Sequence, residues 1–482
     1  MGNIAGHIRE QTAAQPGKKA ILIRKGENDF ASMTFAELEQ RSNQLAWGLS
    51  NAGLRPGMKA IFIAKPSLDL YSLYFAAMKL GAVPIILPKW RGWSYALTCV
   101  MQSAPAAFFG TPSTFFSKVF FGRAFGTVDV NIMIGRFQLF GGIPVGKLKC
   151  KQEEYPIHDF GENETEAILF TAGSTGEPRS VALTSKMMEQ RLNAMQELFP
   201  KQSTNADLSC ILPCTLMELC LGRTVIVEDE DIQGIMDATI SKQPEYAFAY
   251  TNLWYKIVDF CKQQNRRLLG LKNAVILGPP AISTTSAALA SYALDGEASA
   301  MQAYSLAESG FVSAINGQDM LALCRQKENM GKGLPIATGA ANAKLKIVDT
   351  QKGIGEIFTD TATGDLGLMD KDGTIWYCGR KASTVETASG ETLYSSCCEE
   401  IANAFPGVRR SLLVGVGDKP SQIPVLIVEP EPSEYEKLAD NKEGLLRHIA
   451  AFPQTASIRF LLFKHEITED IRQDTQWAAA RI

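Results

Sequence analysis

Between Ala167 and Ser185 the chain reads AILFTAGSTGEPRSVALTS, a stretch that concentrates groups able to hold an anion. Thr171, Ser174 and Thr175 carry hydroxyl donors and Arg179 a fixed positive charge. Gly173 and Gly176, with Ala172 beside them, let successive backbone N–H groups close on phosphate oxygens. Such a loop suits a polyphosphate. It is not a G-x-x-x-x-G-K-[ST] loop, because no Lys follows a second glycine and a strand rather than a helix is predicted next. On composition alone it also fits a surface hairpin with no ligand.

The elements that must position this loop are legible around it. Ala167 to Phe170 and Val181 to Leu183 are apolar runs of strand length. Upstream, a short helix is expected from Ile4 to about Ala14 and a strand over Ala20 to Arg24. Thr34 and Glu37 are spaced as a capping box for a helix that Gly53 ends. A strand over Lys59 to Ala64, a helix over about Ser67 to Leu80 closed by Gly81, and a strand over Val83 to Leu87 follow. This alternation predicts an α/β layered body with mostly parallel strands. Downstream, Lys186 to Leu198 reads as a helix, Ile211 to Glu228 as strand–helix–strand, Tyr246 to Gln264 as strand and helix, and Ala274 to Gly278 as a strand. Phe115, Phe116, Phe120, Phe121 and Phe125 crowd around Lys118 and Arg123. They are expected to pack into the core, with the lining of an acyl pocket or an interfacial membrane helix as the alternatives.

At 482 residues, with 46% hydrophobic and 21% charged residues, the chain is expected to form two to four globular domains or sub-domains. Its net charge of −3 gives no reason to invoke nucleic acid. Ten cysteines lack paired CxxC spacing and the four histidines are far apart, which disfavours a zinc site or a Cys–His nucleophile. Reduced thiols and an N-terminus without an apolar leader core point to the cytoplasm. No apolar window reaches the length of a spanning helix.

The loop resembles the phosphate loop of the adenylate-forming superfamily, which contains acyl-CoA synthetases, luciferases and nonribosomal adenylation domains. Arg179 and Ser180 stand where that family usually has Lys and Gly. The opening of the chain is similar too, with a helix led by TFAELEQRS and a later one running into KLGAVPIIL. Gly278, followed by two prolines, falls where the superfamily places a loop against adenine. QAYSLAESG (302–310) resembles Y-G-x-T-E, which implies that Tyr304 stacks on adenine and Glu308 holds Mg²⁺, with Ser305 in place of Gly and Ala307 in place of Thr. A carboxylate beside a triphosphate makes physical sense only with the metal between them. Apart from the resemblance, Glu308 reads as an exposed acid at a helix start.

Thr363-Gly364-Asp365, then Asp372-Gly373 and Gly379-Arg380, resemble the family's T-G-D … D-G … G-R series. An acid after a glycine turn can accept hydrogen bonds from both ribose hydroxyls, and Arg380 can add a charge-assisted contact. Asp372-Gly373 by itself fits a β-hairpin turn. The segment between Gly355 and Thr363 is short for the family. The run from Cys378 to Val416 resembles the olefin-biosynthesis β-lactone synthetases, with Ala382 at the hinge. Near the end, Asp470 to Trp477 matches their D-I-R-H-N-x-K element, but Gln476 stands at the Lys. Such a Lys stabilises charge growing on the α-phosphate, and losing one contact of that kind costs about 10²–10³-fold in rate.

The resemblance thus implies an α/β fold with a large layered adenylate-forming domain over 1–378 and a mobile α+β lobe over 379–482. ATP and Mg²⁺ are the expected cofactors. The expected reaction is activation of a fatty-type, 3-hydroxy carboxylic acid to an acyl-adenylate, followed by β-lactone formation or transfer to CoA. Thr171, Arg179, Glu308 and Gln476 are the expected catalytic positions, and CoA or enzymes of an olefin pathway the expected further partners. The alternative is a catalytically impaired homologue that binds nucleotide or acyl ligand, or serves as a pathway scaffold.

Overall fold

The computed structural model describes residues 2–26, 29–87, 92–135, 138, 140–148, 150, 154–171, 178–278, 283–339, 344–351, 353–468 and 470–482. Two large sheets organise the first two-thirds of the chain. The seven-stranded sheet runs, in spatial order, Ile143–Pro144, Val130–Met133, Ala107–Gly110, Lys59–Ile63, Val83–Ile86, Thr165–Thr171 and Arg179–Thr184. All neighbours are parallel except the last pair, which is antiparallel. The eight-stranded sheet runs Gly310–Asn316, Ser299–Leu306, Asn273–Leu277, Tyr246–Tyr250, Asp207–Ser209, Val225–Val227, Lys19–Gly26 and Asp29–Thr34, parallel inside and antiparallel at both edges.

Alternating side chains explain how the two sheets stack. Ile21, Val225, Val227, Phe248 and Val275 face one shared core with Phe62, Phe109 and Ala167 of the other sheet. Their neighbours Leu22, Ile226, Ala247 and Ile276 face an outer core with helices Ile232–Lys242 and Thr251–Gln264. Ile61, Ile63 and Phe108 likewise face a second outer core. Between the sheets lie helices Ala5–Ala14, Phe35–Asn51, Leu68–Leu80, Ser185–Leu198 and Leu212–Cys220. Every residue from Leu70 to Leu80 is buried, Lys79 included. The Lys79 ammonium donates to Glu39 Oε2, Ser42 Oγ and Asn43 Oδ1 at 2.5, 2.8 and 2.7 Å, which satisfies a charge that water cannot reach.

A five-stranded antiparallel sheet follows, in the order Leu334–Ala337, Ile375–Arg380, Ala362–Met369, Ile354–Phe358 and Lys346–Gln351. Its Ile336, Ile357, Ile375 and Tyr377 share a core with Tyr304, Leu306 and Val312 from the edge of the eight-stranded sheet. The remaining chain builds a three-stranded sheet of Val408–Val416, Ile423–Pro430 and Phe460–Phe463. Helices Ser395–Asn403 and Lys442–Ala450 pack on one of its faces and Ile471–Ala479 on the other.

Three expectations are corrected. The strand expected to open 211–228 lies earlier, at Asp207–Ser209. Ile211 instead caps the helix Leu212–Cys220, whose first turn accommodates Pro213. Glu308 is not at a helix start; it sits in the turn between strands Ser299–Leu306 and Gly310–Asn316. The phenylalanine cluster divides, with Phe115 and Phe125 in the core and Phe116, Phe120 and Phe121 exposed. The capping box is present as expected, with the Glu37 amide donating to Thr34 Oγ1 and the Thr34 amide to Glu37 Oε2.

Glu166, on the strand that leads into the loop, is fully buried. Its Oε1 accepts the Ile4 amide at 2.8 Å, while Oε2 has no hydrogen-bond partner. Burial pushes this carboxyl up to about 8. The folded chain therefore keeps a proton that the unfolded chain releases at the ordinary carboxylate value, and this contribution to stability is lost as pH rises through about 8. Urea unfolding between pH about 4.5 and about 8 should show this loss in the wild type and a flatter profile in Glu166→Gln. Parallel profiles would contradict the assignment.

Candidate active site

Three of the positions expected to bind nucleotide, Tyr304, Asp365 and Arg380, meet where the eight-stranded sheet adjoins the five-stranded one. Strand Ser299–Leu306 brings Tyr304 inward, and strands Ala362–Met369 and Ile375–Arg380 place Asp365 directly opposite Arg380. Gly364, at φ +74° inside strand Ala362–Met369, takes a conformation that favours glycine directly before Asp365. Its amide donates to Glu356 Oε1 at 3.1 Å, and the Asp365 amide donates to Thr363 Oγ1 at 3.1 Å.

Asp365 is 2% exposed. The Tyr304 hydroxyl, equally buried, donates to its Oδ2 at 2.7 Å, and Arg380 Nε lies 2.9 Å from its Oδ1. That second contact has ion-pair distance without hydrogen-bond alignment, so Oδ1 retains an unfilled acceptor position. Burial raises the Asp365 carboxyl above its ordinary value, against the pull of Arg380 and the Tyr304 hydroxyl. Burial, the largest single influence, would lower the Arg380 guanidinium, but Asp365, Tyr377, Tyr304 and Glu308 together outweigh it and the net shift is upward. A buried carboxylate with an open acceptor is a fit for a hydroxyl donor such as a ribose.

The second constellation joins the far end of the glycine-rich loop to Glu308. Arg179 pairs with Thr171 across the hairpin, and its guanidinium lies 3.0 Å from Glu308 Oε1. Both ends of this bridge are accessible, at 68% and 36%, so it is a weak link that an incoming ligand can part. The Tyr95 hydroxyl holds the Thr171 carbonyl at 2.9 Å. Ala172, Gly173, Ser174, Thr175 and Gly176 lie outside the described residues. Gly278 sits at φ +113° directly after strand Asn273–Leu277, a conformation that favours glycine. Among the described residues no group of three or more His, Cys, Asp or Glu is gathered for a metal. Glu308 as a magnesium partner therefore needs oxygens supplied by the nucleotide.

Gln476 is not gathered with these groups. It is exposed on helix Ile471–Ala479, which packs through Ile471, Trp477 and Ala478 onto its own sheet. That helix is anchored by Asp474, fully buried, which accepts from Lys464 Nζ, the Thr468 amide and Thr468 Oγ1.

Sequence reasoning passed over two residues. Arg191, 8% exposed, donates to the Ala307 carbonyl and packs beneath Gly310, where an added Cβ would lie 2.6 Å from Arg191 Cγ. Its signal was a charge in the apolar stripe Met188, Leu192, Met195 of one helix. Glu356 was the other, tying the Gly364 amide to the Lys381 ammonium, which lies 3.0 Å from its Oε2.

The layered sheets and the small terminal lobe fit the class of adenylate-forming enzymes, AMP-forming acid ligases in activity. Residues 8–366 match the AMP-binding enzyme family, and the chain belongs to it. It is similar to the olefin beta-lactone synthetase of Xanthomonas campestris pv. campestris, 27% identical over 98% of this chain and 95% of the relative. The olefin beta-lactone synthetase of Stenotrophomonas maltophilia is 26% identical over 100% and 98%. Among solved structures, the amide bond synthetase McbA from Marinactinospora thermotolerans superposes with a TM-score of 0.78 at 20% identity, covering 98% of this chain and 99% of its own. The anthranilate CoA ligase AuaEII in complex with anthranoyl-AMP does so with a TM-score of 0.80 at 14% identity, covering 99% and 98%. These two likenesses establish the shared fold.

The two constellations should respond differently to substitution. Tyr304→Phe removes a hydrogen bond to a buried carboxylate and should cost about 1.5–3 kcal/mol in urea unfolding. Arg179→Ala breaks an exposed pair and should change stability by less than about 1 kcal/mol. Equal effects would contradict the contrast in burial.

Proposed function

We propose that this chain activates a 3-hydroxy fatty acid with ATP and closes the product to a β-lactone. The observation that carries the reading is the correspondence along nearly the full length with two olefin beta-lactone synthetases. In this reading Asp365 accepts from the ribose hydroxyls, Tyr304 borders the adenine, and Arg380 neutralises Asp365 while reaching the nucleotide. Gly278 keeps the adenine side open. The loop from Thr171 through Ala172, Gly173, Ser174, Thr175 and Gly176 holds phosphate oxygens, and Arg179 leaves Glu308 for them. Glu308 then holds Mg²⁺, whose charge offsets that of the triphosphate.

A substrate carboxylate oxygen attacks the α-phosphorus and pyrophosphate leaves. The 3-hydroxyl oxygen then attacks the acyl carbon, its proton is lost, and AMP departs. Ring closure within one bound molecule needs no external thiol and benefits from enforced proximity. The lobe from 379 onward turns about Lys381 and Ala382 between the two half-reactions. The contacts it must exchange include three polar pairs, Arg409 with Asp259 at 2.8 Å, Lys262 with Glu431 at 3.0 Å, and Ser283 Oγ with Glu400 at 2.5 Å.

One observation favours a second reading, an impaired homologue that binds nucleotide or acyl ligand without turning over efficiently. Gln476 is neutral and exposed at the position where the resemblance expects a lysine.

Pyrophosphate release with 3-hydroxy acids of graded length, with and without CoA, separates these readings. The β-lactone reading predicts release without CoA and a product lighter than the acid by one water. A strict requirement for CoA would replace lactone closure with thioester formation. No release at any length, with ATP still bound, would support the impaired homologue. If the missing charge limits the rate, Gln476→Lys should raise it by about 10–10²-fold, and an unchanged rate would exclude that explanation.

A further inference from the structure

Among the described residues, four of the five exposed phenylalanines lie in one place: Phe116, Phe120, Phe121 and Phe140, at 53, 70, 39 and 53% exposure. Scattered apolar residues are normal on a surface, but a contiguous aromatic patch is not. Phe116 and Phe120 meet edge-on at 5.0 Å, Phe116 and Phe140 approach at 6.1 Å, and Phe121 stacks on Trp93 at 5.9 Å. Phe116, Val119 and Phe120 share the outward face of helix Pro112–Phe120, which is held from beneath by buried Phe115. Met101, 62% exposed, stands on helix Trp93–Ser103, which packs beside the turn Gly122–Phe125.

The sequence segment that carries this patch is opposite in charge to the rest of the chain. Residues 88–151 contain eight Lys and Arg but one acid, Asp129, for a net +7, whereas the remainder carries −10. Arg123 and Lys147 are exposed. The Lys118 ammonium lies under the patch, on Asn131 and over the rings of Phe108, Phe115 and Phe125. Aromatic side chains on a short helix within a basic segment are the signature of interfacial binding, in which rings enter the headgroup boundary while cations meet anionic lipid. At nine residues the helix is far too short to cross a bilayer, and no described helix is long and apolar enough to do so.

We propose that this face docks the protein on an anionic phospholipid bilayer, with Phe116, Phe120 and Phe121 inserted and Arg123 in the headgroup layer. The docking is independent of which acid the enzyme activates.

Co-sedimentation of the full chain with vesicles tests it. Wild type should bind vesicles of phosphatidylcholine mixed with phosphatidylglycerol, bind phosphatidylcholine alone far more weakly, and release as salt is raised. Phe120→Ser should weaken partitioning by about tenfold, and Arg123→Glu by about fivefold or more, both with unchanged thermal unfolding. The salt titration of wild type needs no variant and tests the electrostatic component by itself. Three results would overturn the proposal: no binding to either vesicle, equal binding to both without salt dependence, or a concentration-dependent dimer that Phe120→Ser abolishes and that accounts for the patch.

Discussion

The carboxylate of Asp365 is the constraint on which the site depends. A charge removed almost completely from water is costly unless it is paired and hydrogen-bonded, and its partners here come from two different sheets. Tyr304 approaches from the edge of the eight-stranded sheet and Arg380 from the adjacent strand of the five-stranded one. The position of each sheet is therefore part of the cost of keeping Asp365 charged. The apolar contacts of Tyr304, Ile336, Ile357 and Tyr377 make that junction rigid. The same junction leaves one buried carboxylate oxygen without a hydrogen-bond donor.

Arg179, at the described flank of the glycine-rich loop, is held by weaker means. The Arg179–Glu308 bridge lies in accessible surroundings, and Arg191 supports the turn before Gly310 from a buried helix face. The contacts at Asp365 are buried, while the Arg179–Glu308 pair faces solvent. Glu356 accepts from the Gly364 amide and also holds Lys381, where the chain passes toward the terminal lobe.

Much of the architecture was legible because its signals are local. The Thr34–Glu37 capping box, Gly81 at φ +88° closing a helix, and the hairpin turn with Gly373 at φ +78° are each written in a few adjacent residues. The five-stranded sheet was not anticipated, since its short strands have no strong alternation and its edge strand Leu334–Ala337 pairs only with the distant Ile375–Arg380. The order of Tyr304, Asp365 and Arg380 could be read, but their mutual bonds could not, because 61 residues separate the tyrosine from the carboxylate it serves. Composition could not divide the phenylalanines either. Phe115 and Phe116 are neighbours in sequence, and only the direction of the helix decides which is buried.

Titration calorimetry of ATP against the wild type and Asp365→Ala, with thermal unfolding as a control for the fold, tests the central claim most directly. If Asp365 anchors the nucleotide, the variant should bind ATP at least about tenfold more weakly while remaining folded, the loss of a charge-assisted hydrogen bond. An unchanged affinity would contradict the account and remove the junction between the two sheets from the nucleotide site.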